Sequence, residues 1–148
     1  LSGAEDKMAL ALDLVNVRLI LEPGIAEMAA LNATEEAILE LRCCCERVEE
    51  RIASGDMYIQ DDIAFHTSVA RCSGNKVVEQ LIPIIDTAVM MFVNVTHQRL
   101  TKETVMTHRA IVDAISDRDP IGAKTAMMMH MTFNRNMIRQ LMKDGREA

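Results

Sequence analysis

The chain has 148 residues, of which 49% are hydrophobic and 26% are charged, so it is long enough for one domain with a buried core. Its net charge of −6 and aromatic content of 3% disfavour binding to a phosphate backbone or to stacked bases. No apolar run reaches membrane-spanning length, no secretion signal opens the chain, and Cys43, Cys44, Cys45 and Cys72 do not form a disulfide framework. We therefore expect a cytoplasmic protein without a membrane partner.

Helical periodicity dominates the sequence, and no stretch alternates long enough to predict a strand. Residues 1–9 are small and polar, and we expect a linker or an expression remnant there, followed by one helical domain over residues 10–148. Pro23 is expected to kink or split the first helix, so the fold class is an all-α, single antiparallel bundle of six to seven helices with short connections. The helices are predicted over residues 10–31, 34–53, 58–72, 75–97, 102–116 and 120–143.

Start signals support several of these boundaries. Thr34 precedes two glutamates and is predicted to be an N-cap. Asn75 is predicted to cap the fourth helix, and Asp119 followed by Pro120 marks the start of the last one.

Polar residues occupy apolar stripes of three predicted helices. Asp62 and His66 are four residues apart and project from one face, while His108 and His130 lie in the stripes of the two last helices. One carboxylate oxygen and three imidazole nitrogens suit a divalent transition metal, with zinc as the first expectation and nickel or manganese as alternatives. Spacing alone also allows an Asp–His hydrogen-bonded dyad or satisfied core histidines.

Several strings resemble the FCD ligand-binding domain of GntR-type transcription regulators, and the likeness covers about residues 10–142. These strings are Val17-Arg18-x-x-x-Glu22-Pro23, Asp62-x-x-x-His66, Ser73-Gly74-Asn75 and His108-x-x-Ile111-x-x-Ala114-Ile115-x-x-x-Asp119, followed by Ala123 and His130. The resemblance implies the metal-binding branch of that family, in which Asp62, His66, His108 and His130 would hold a divalent ion and a small carboxylate effector would complete its coordination.

Two further residues are assigned to the effector. The resemblance places Arg18 on the first helix facing the effector, where a guanidinium can bind a carboxylate with two hydrogen bonds. The alternative for Arg18 is a structural ion pair with Glu22, one turn away. Asn75 is a candidate effector contact, although a helix cap is its main expected role.

The function expected from these residues is effector sensing and dimerisation in a bacterial GntR-type transcription regulator. The chain would act as a homodimer and not as an enzyme, and DNA binding would belong to an N-terminal winged helix-turn-helix that these residues do not contain. Two alternatives stay open at this point: a metal-dependent hydrolase, because an ion with open positions can activate water, and a bundle with a purely structural metal.

Overall fold

The computed structural model describes residues 3–97 and 99–147, which form seven α-helices and no strand, with 87% helical content. The all-α prediction is therefore confirmed. The helices are α1 (Gly3–Asn32), α2 (Glu35–Ala53), α3 (Ile59–Cys72), α4 (Lys76–Glu79), α5 (Ile82–Thr96), α6 (Thr101–Ser116) and α7 (Pro120–Glu147).

Helix α1 differs from its prediction at its start and at Pro23. It begins at Gly3, so residues 3–9 are helical and not a linker; residues 1 and 2 lie outside the described residues. The helix also continues through Pro23 instead of splitting there. Pro23 is buried, and packing of its ring compensates for the backbone hydrogen bond that proline cannot donate.

Three predicted helix caps are present. The backbone N–H of Ala37 donates to the Thr34 hydroxyl at 3.1 Å, and that of Gly122 donates to Asp119 Oδ1 at 2.9 Å. Asn75 Oδ1 accepts two such bonds at the start of α4. These side chains satisfy N–H groups that the first turn of a helix leaves without partners, so each helix starts where predicted within one residue.

The predicted fourth helix is divided into α4 and α5. Pro83 lies in the first turn of α5, where a missing N–H is tolerated, whereas a continuous helix from Asn75 would place it in the interior. The break could not be predicted from the apolar stripe between Val78 and Phe92, because α4 and α5 bury their apolar side chains in the same core.

The most extensive helix contacts join α1 with α7, and α6 with α7. Helices α2 and α3, and likewise α6 and α7, are joined by short connections and pack side by side, so they run antiparallel. Helix α1 contacts α3, α6 and α7, and this places one face of α1 against the three helices that carry Asp62 and the candidate histidines. Among the described residues, no helix is both long enough and apolar enough to cross a membrane.

Candidate metal and effector site

The four residues predicted as metal ligands meet inside the bundle. Asp62 and His66 come from α3, His108 from α6 and His130 from α7, and their exposed fractions are 5%, 1%, 0% and 3%. One ring nitrogen from each histidine lies within 4.8 Å of the others. Asp62 Oδ1 is 3.4 Å from Nε2 of His66 and 3.4 Å from Nε2 of His108. We call these four residues the quartet.

Buried polar atoms of the quartet lack hydrogen-bond partners. Within the described part of the chain, these atoms are Asp62 Oδ1 and both ring nitrogens of His108. A buried polar group without a partner costs about 1–3 kcal/mol, and more if it is charged. A divalent transition ion accepts electron pairs from both atom types, so the quartet fits such an ion chemically.

A threonine fixes the tautomer of His130. The Thr107 hydroxyl donates to the backbone carbonyl of Glu103 at 2.7 Å, and its oxygen lies 2.7 Å from His130 Nδ1. With the hydroxyl proton assigned to the carbonyl, Nδ1 of His130 donates to Thr107. Nε2 of His130 therefore keeps its lone pair, which is the state required of a metal ligand.

A glutamate performs the same role for His66 and also binds Arg18. Glu22 Oε1 lies 2.7 Å from His66 Nδ1, and Glu22 Oε2 accepts from Arg18 Nε at 2.5 Å. Arg18 and Glu22 are each only 2% exposed. The Arg18–Glu22 pair considered as an alternative is therefore present, but inside the site: Arg18 Nη2 is 3.3 Å from His66 Nε2.

The electrostatics keep both acids charged. Burial alone would raise the pKa of Glu22, but Arg18 and His66 outweigh it and lower that pKa to about 2. Burial opposes the charge of Asp62 as well, and its contacts with His66 and then His108 hold its pKa below the ordinary value. The carboxylates of Glu22 and Asp62 are thus both negatively charged at pH 7 and attract cations.

The histidines divide into two groups. Burial lowers the pKa of His108 to about 3 and that of His130 well below its ordinary range, so both rings are neutral at pH 7. Burial also acts to lower the pKa of His66, but the Glu22 carboxylate outweighs it and the pKa of His66 is raised. The rings of His108 and His130 are therefore already neutral, which is the form that binds a metal ion, and neither has to release a proton first.

Asn75 is engaged elsewhere. Its Oδ1 accepts from the backbone N–H groups of Val77 and Val78, at 2.9 and 3.1 Å, and its Nδ2 lies 4.0 Å from Met28 Sδ. The structure thus gives Asn75 its capping role, and its contact with an effector stays a prediction.

Two surface cavities of about 530 Å³ each lie away from the quartet, one between α2 and α3 and one between α6 and α7. Of the residues discussed above as metal or effector contacts and their partners, only Thr107 lines either of these two cavities. The exposed fractions of the quartet, all 5% or less, show that packed helices enclose it, so an ion there would be shielded from water.

The fold and the site define an all-α bundle that encloses a buried acid–histidine cluster next to a buried arginine. The profile of the FCD domain matches residues 13–133, and the chain belongs to the FCD domain family. It is 29% identical over 119 residues to the HTH-type transcriptional repressor NanR of Citrobacter rodentium, covering 78% of this chain and 46% of that protein.

Two other proteins extend this likeness. The putative L-lactate dehydrogenase operon regulatory protein of Escherichia coli K12 is 27% identical over 138 residues, which cover 89% of this chain and 53% of that protein. A solved structure of Streptococcus agalactiae GntR superposes with a TM-score of 0.75 at 30% identity, covering 92% of this chain and 62% of that one.

These relatives are regulators of transcription, which confirms the expectation that the chain is not an enzyme. The chain spans about half the length of the curated relatives it matches. It represents the effector-binding domain of such regulators.

Proposed function

We propose that this domain senses a small carboxylate metabolite through a divalent transition ion held by Asp62, His66, His108 and His130. Zinc is the first candidate, and nickel or manganese are alternatives. The observation that carries the proposal is the buried quartet, whose Asp62 Oδ1 and His108 ring nitrogens have no hydrogen-bond partner within the described residues. When bound, the ion supplies a Lewis-acidic centre for a ligand carboxylate.

Arg18 is the proposed second contact of the carboxylate. Its Nε is used by Glu22, and its Nη2 lies 3.4 Å from Nδ1 of His66, so a ligand would compete with the His66 ring for this terminal nitrogen. Nη2 lies 3.3 Å from Nε2 of His66, the ring atom that would hold the ion. A single carboxylate group could therefore contact the ion through one oxygen and Arg18 through the other.

At the level of the whole protein, we propose that effector binding changes DNA binding by a winged helix-turn-helix domain outside these residues. The relatives are about twice as long as the matched region, which leaves room for such a domain. The effector must favour one arrangement of the bundle over another, because equal affinity for both would shift nothing. A homodimer is part of this proposal.

Metal analysis and thermal shift test the proposal. We expect one transition ion per purified chain, removable by a chelator with a fall in melting temperature. The zinc-loaded chain is then screened with lactate, keto acids and sugar acids. One of these classes of acid should raise the melting temperature. Absence of a stoichiometric ion would sink the proposal.

Arg18→Lys should keep the ion but weaken the response to the carboxylate, since lysine lacks the planar fork that binds two oxygens. The matched control is Arg109→Lys. Arg109 lies on α6 and makes a surface ion pair with Glu49, so this variant should show the same melting-temperature response to the acid as the original chain. A bound ion with no response to any acid would instead favour the purely structural metal, in which four protein ligands fill a tetrahedral site.

A further inference from the structure

We infer that Glu22 is a positioning residue whose one carboxylate orients His66 for the ion and Arg18 for the effector at the same time. The inference rests on the proposed function for what the two groups bind, and on the contacts of Glu22 for how they are held. Sequence reasoning had considered Glu22 only as a structural partner of Arg18.

The first contact sets the ring of His66. Glu22 Oε1 is 2.7 Å from Nδ1 of His66, and an ionised carboxylate only accepts hydrogen bonds. Nδ1 therefore carries a proton, and in the neutral ring the lone pair is on Nε2. That atom faces the quartet, 3.4 Å from Asp62 Oδ1. If Nε2 held an ion, the Glu22 carboxylate on Nδ1 would raise the basicity of the His66 ring.

The second contact sets Arg18. Glu22 Oε2 accepts from Arg18 Nε at 2.5 Å, one turn earlier on α1. This bond holds the guanidinium beside the His66 ring, with Nη2 3.3 Å from Nε2 and 3.4 Å from Nδ1. Because each oxygen of Glu22 holds a different group, a rotation of the carboxylate that releases His66 also releases Arg18. The ligand of the ion and the ligand of the effector are thereby coupled through a single side chain.

Burial makes this coupling hard to replace. Glu22 is 2% exposed, so water is a poor substitute for either oxygen. A glutamine of the same shape has one acceptor and one donor in place of two acceptors. It can satisfy His66 or Arg18 in the manner of the carboxylate, but not both.

The test compares Glu22→Gln with Glu27→Gln in the 148-residue chain. Glu27 lies on the same helix and makes a surface ion pair with Lys124 at 3.4 Å. The first readout is the tautomer of His66 from ¹⁵N NMR of the metal-free protein at alkaline pH. The original chain and Glu27→Gln should show the Nδ1–H form, and Glu22→Gln should gain the Nε2–H form.

The second readout is zinc affinity, measured by competition with a chromophoric chelator. Loss of a partner that orients a metal-bound histidine weakens metal binding by about 10–100-fold, and we expect that range for Glu22→Gln and no change for Glu27→Gln. An unchanged tautomer together with an unchanged zinc affinity in Glu22→Gln would overturn the inference.

The design separates this inference from the proposed function. If the original chain binds no zinc, the proposed function fails, while the tautomer measured without metal still decides whether Glu22 positions His66. If Glu22→Gln does not fold, Glu22→Asp replaces it, because aspartate keeps the charge beside Arg18 but is one methylene too short to reach both groups. Zinc affinity equal to that of the original chain in folded Glu22→Asp would also contradict the inference.

Discussion

His108 is a fully buried polar residue, and replacing it by leucine should separate metal binding from the stability of the fold. The ring is 0% exposed and stacks on Phe65, with centroids 3.9 Å apart and planes at 17°. Neither ring nitrogen has a hydrogen-bond partner in the described structure. Leucine has a similar volume and no polar atom, so it fits the same space without the cost of desolvating the ring.

The expected gain follows from two opposing contributions. Removing a buried polar group without a partner should stabilise the metal-free chain by about 1–3 kcal/mol. Loss of the stacking between His108 and Phe65 offsets about 0.5–1.5 kcal/mol of this. The net expectation for His108→Leu is a free energy of unfolding about 1 kcal/mol higher than in the original metal-free chain, with a melting temperature about 2–4 °C higher.

With zinc bound, the original chain should become more stable than His108→Leu. At a free zinc concentration of about 100 times its dissociation constant, the original chain should gain about 2.7 kcal/mol, whereas His108→Leu should gain much less. Urea denaturation and calorimetry of both proteins, each with and without zinc, measure all four stabilities. The control is Ile111→Val, which removes one buried methylene on α6, should cost about 0.5–1.5 kcal/mol and should leave the zinc response intact.

Two results would refute this reasoning. One is a metal-free His108→Leu protein that is less stable than the original chain, since the ring would then have partners that the structure does not provide. The other is an equal rise in stability of both proteins with zinc, which would show that His108 is not a ligand.

Thr107→Val removes the acceptor of the His130 Nδ1 proton, so zinc affinity by chelator competition should fall about 10–100-fold, and an unchanged affinity would contradict the tautomer argument. Burial holds the pKa of folded His108 at about 3, against 6.5 in the unfolded chain. The metal-free protein should therefore lose stability as the pH falls below 6.5, by up to about 1.4 kcal/mol per pH unit for this ring, and urea titrations of the original chain and His108→Leu at several pH values should differ in that slope. Thr34→Ala removes the cap of α2 and should cost about 1 kcal/mol in urea denaturation with no change in zinc affinity, unless the Ala37 N–H finds another acceptor.

The quartet could be located from the sequence because helical periodicity marks which face is buried. Asp62 and His66 share one face of α3, and His108 and His130 interrupt apolar stripes, so all four stood out as polar residues in apolar positions. Spacing within a helix says nothing about distances between helices. The meeting of the four side chains therefore required the structure.

Glu22 was missed as a site residue for a physical reason. An arginine and a glutamate four residues apart are the usual pattern of a surface ion pair. On α1, the leucines Leu14 and Leu21 are only partly buried, although leucine is the more apolar residue type. The signal was available in the alternating steps of four and three, because Arg18 and Glu22 belong to the buried series Ala11, Val15, Arg18, Glu22, Ile25 and Ala29.

Helix α3 carries Asp62, Phe65 and His66 within little more than one turn, and Phe65 is stacked on the ring of His108 from α6. A twist of α3 about its own axis would displace two of the proposed ligands and the aromatic support of a third in one movement. An ion in this position could not leave by the swing of a single side chain, and its release would have to wait for the whole helix to turn or detach. If the quartet holds an ion, the lifetime of that ion should follow the slow opening of the bundle.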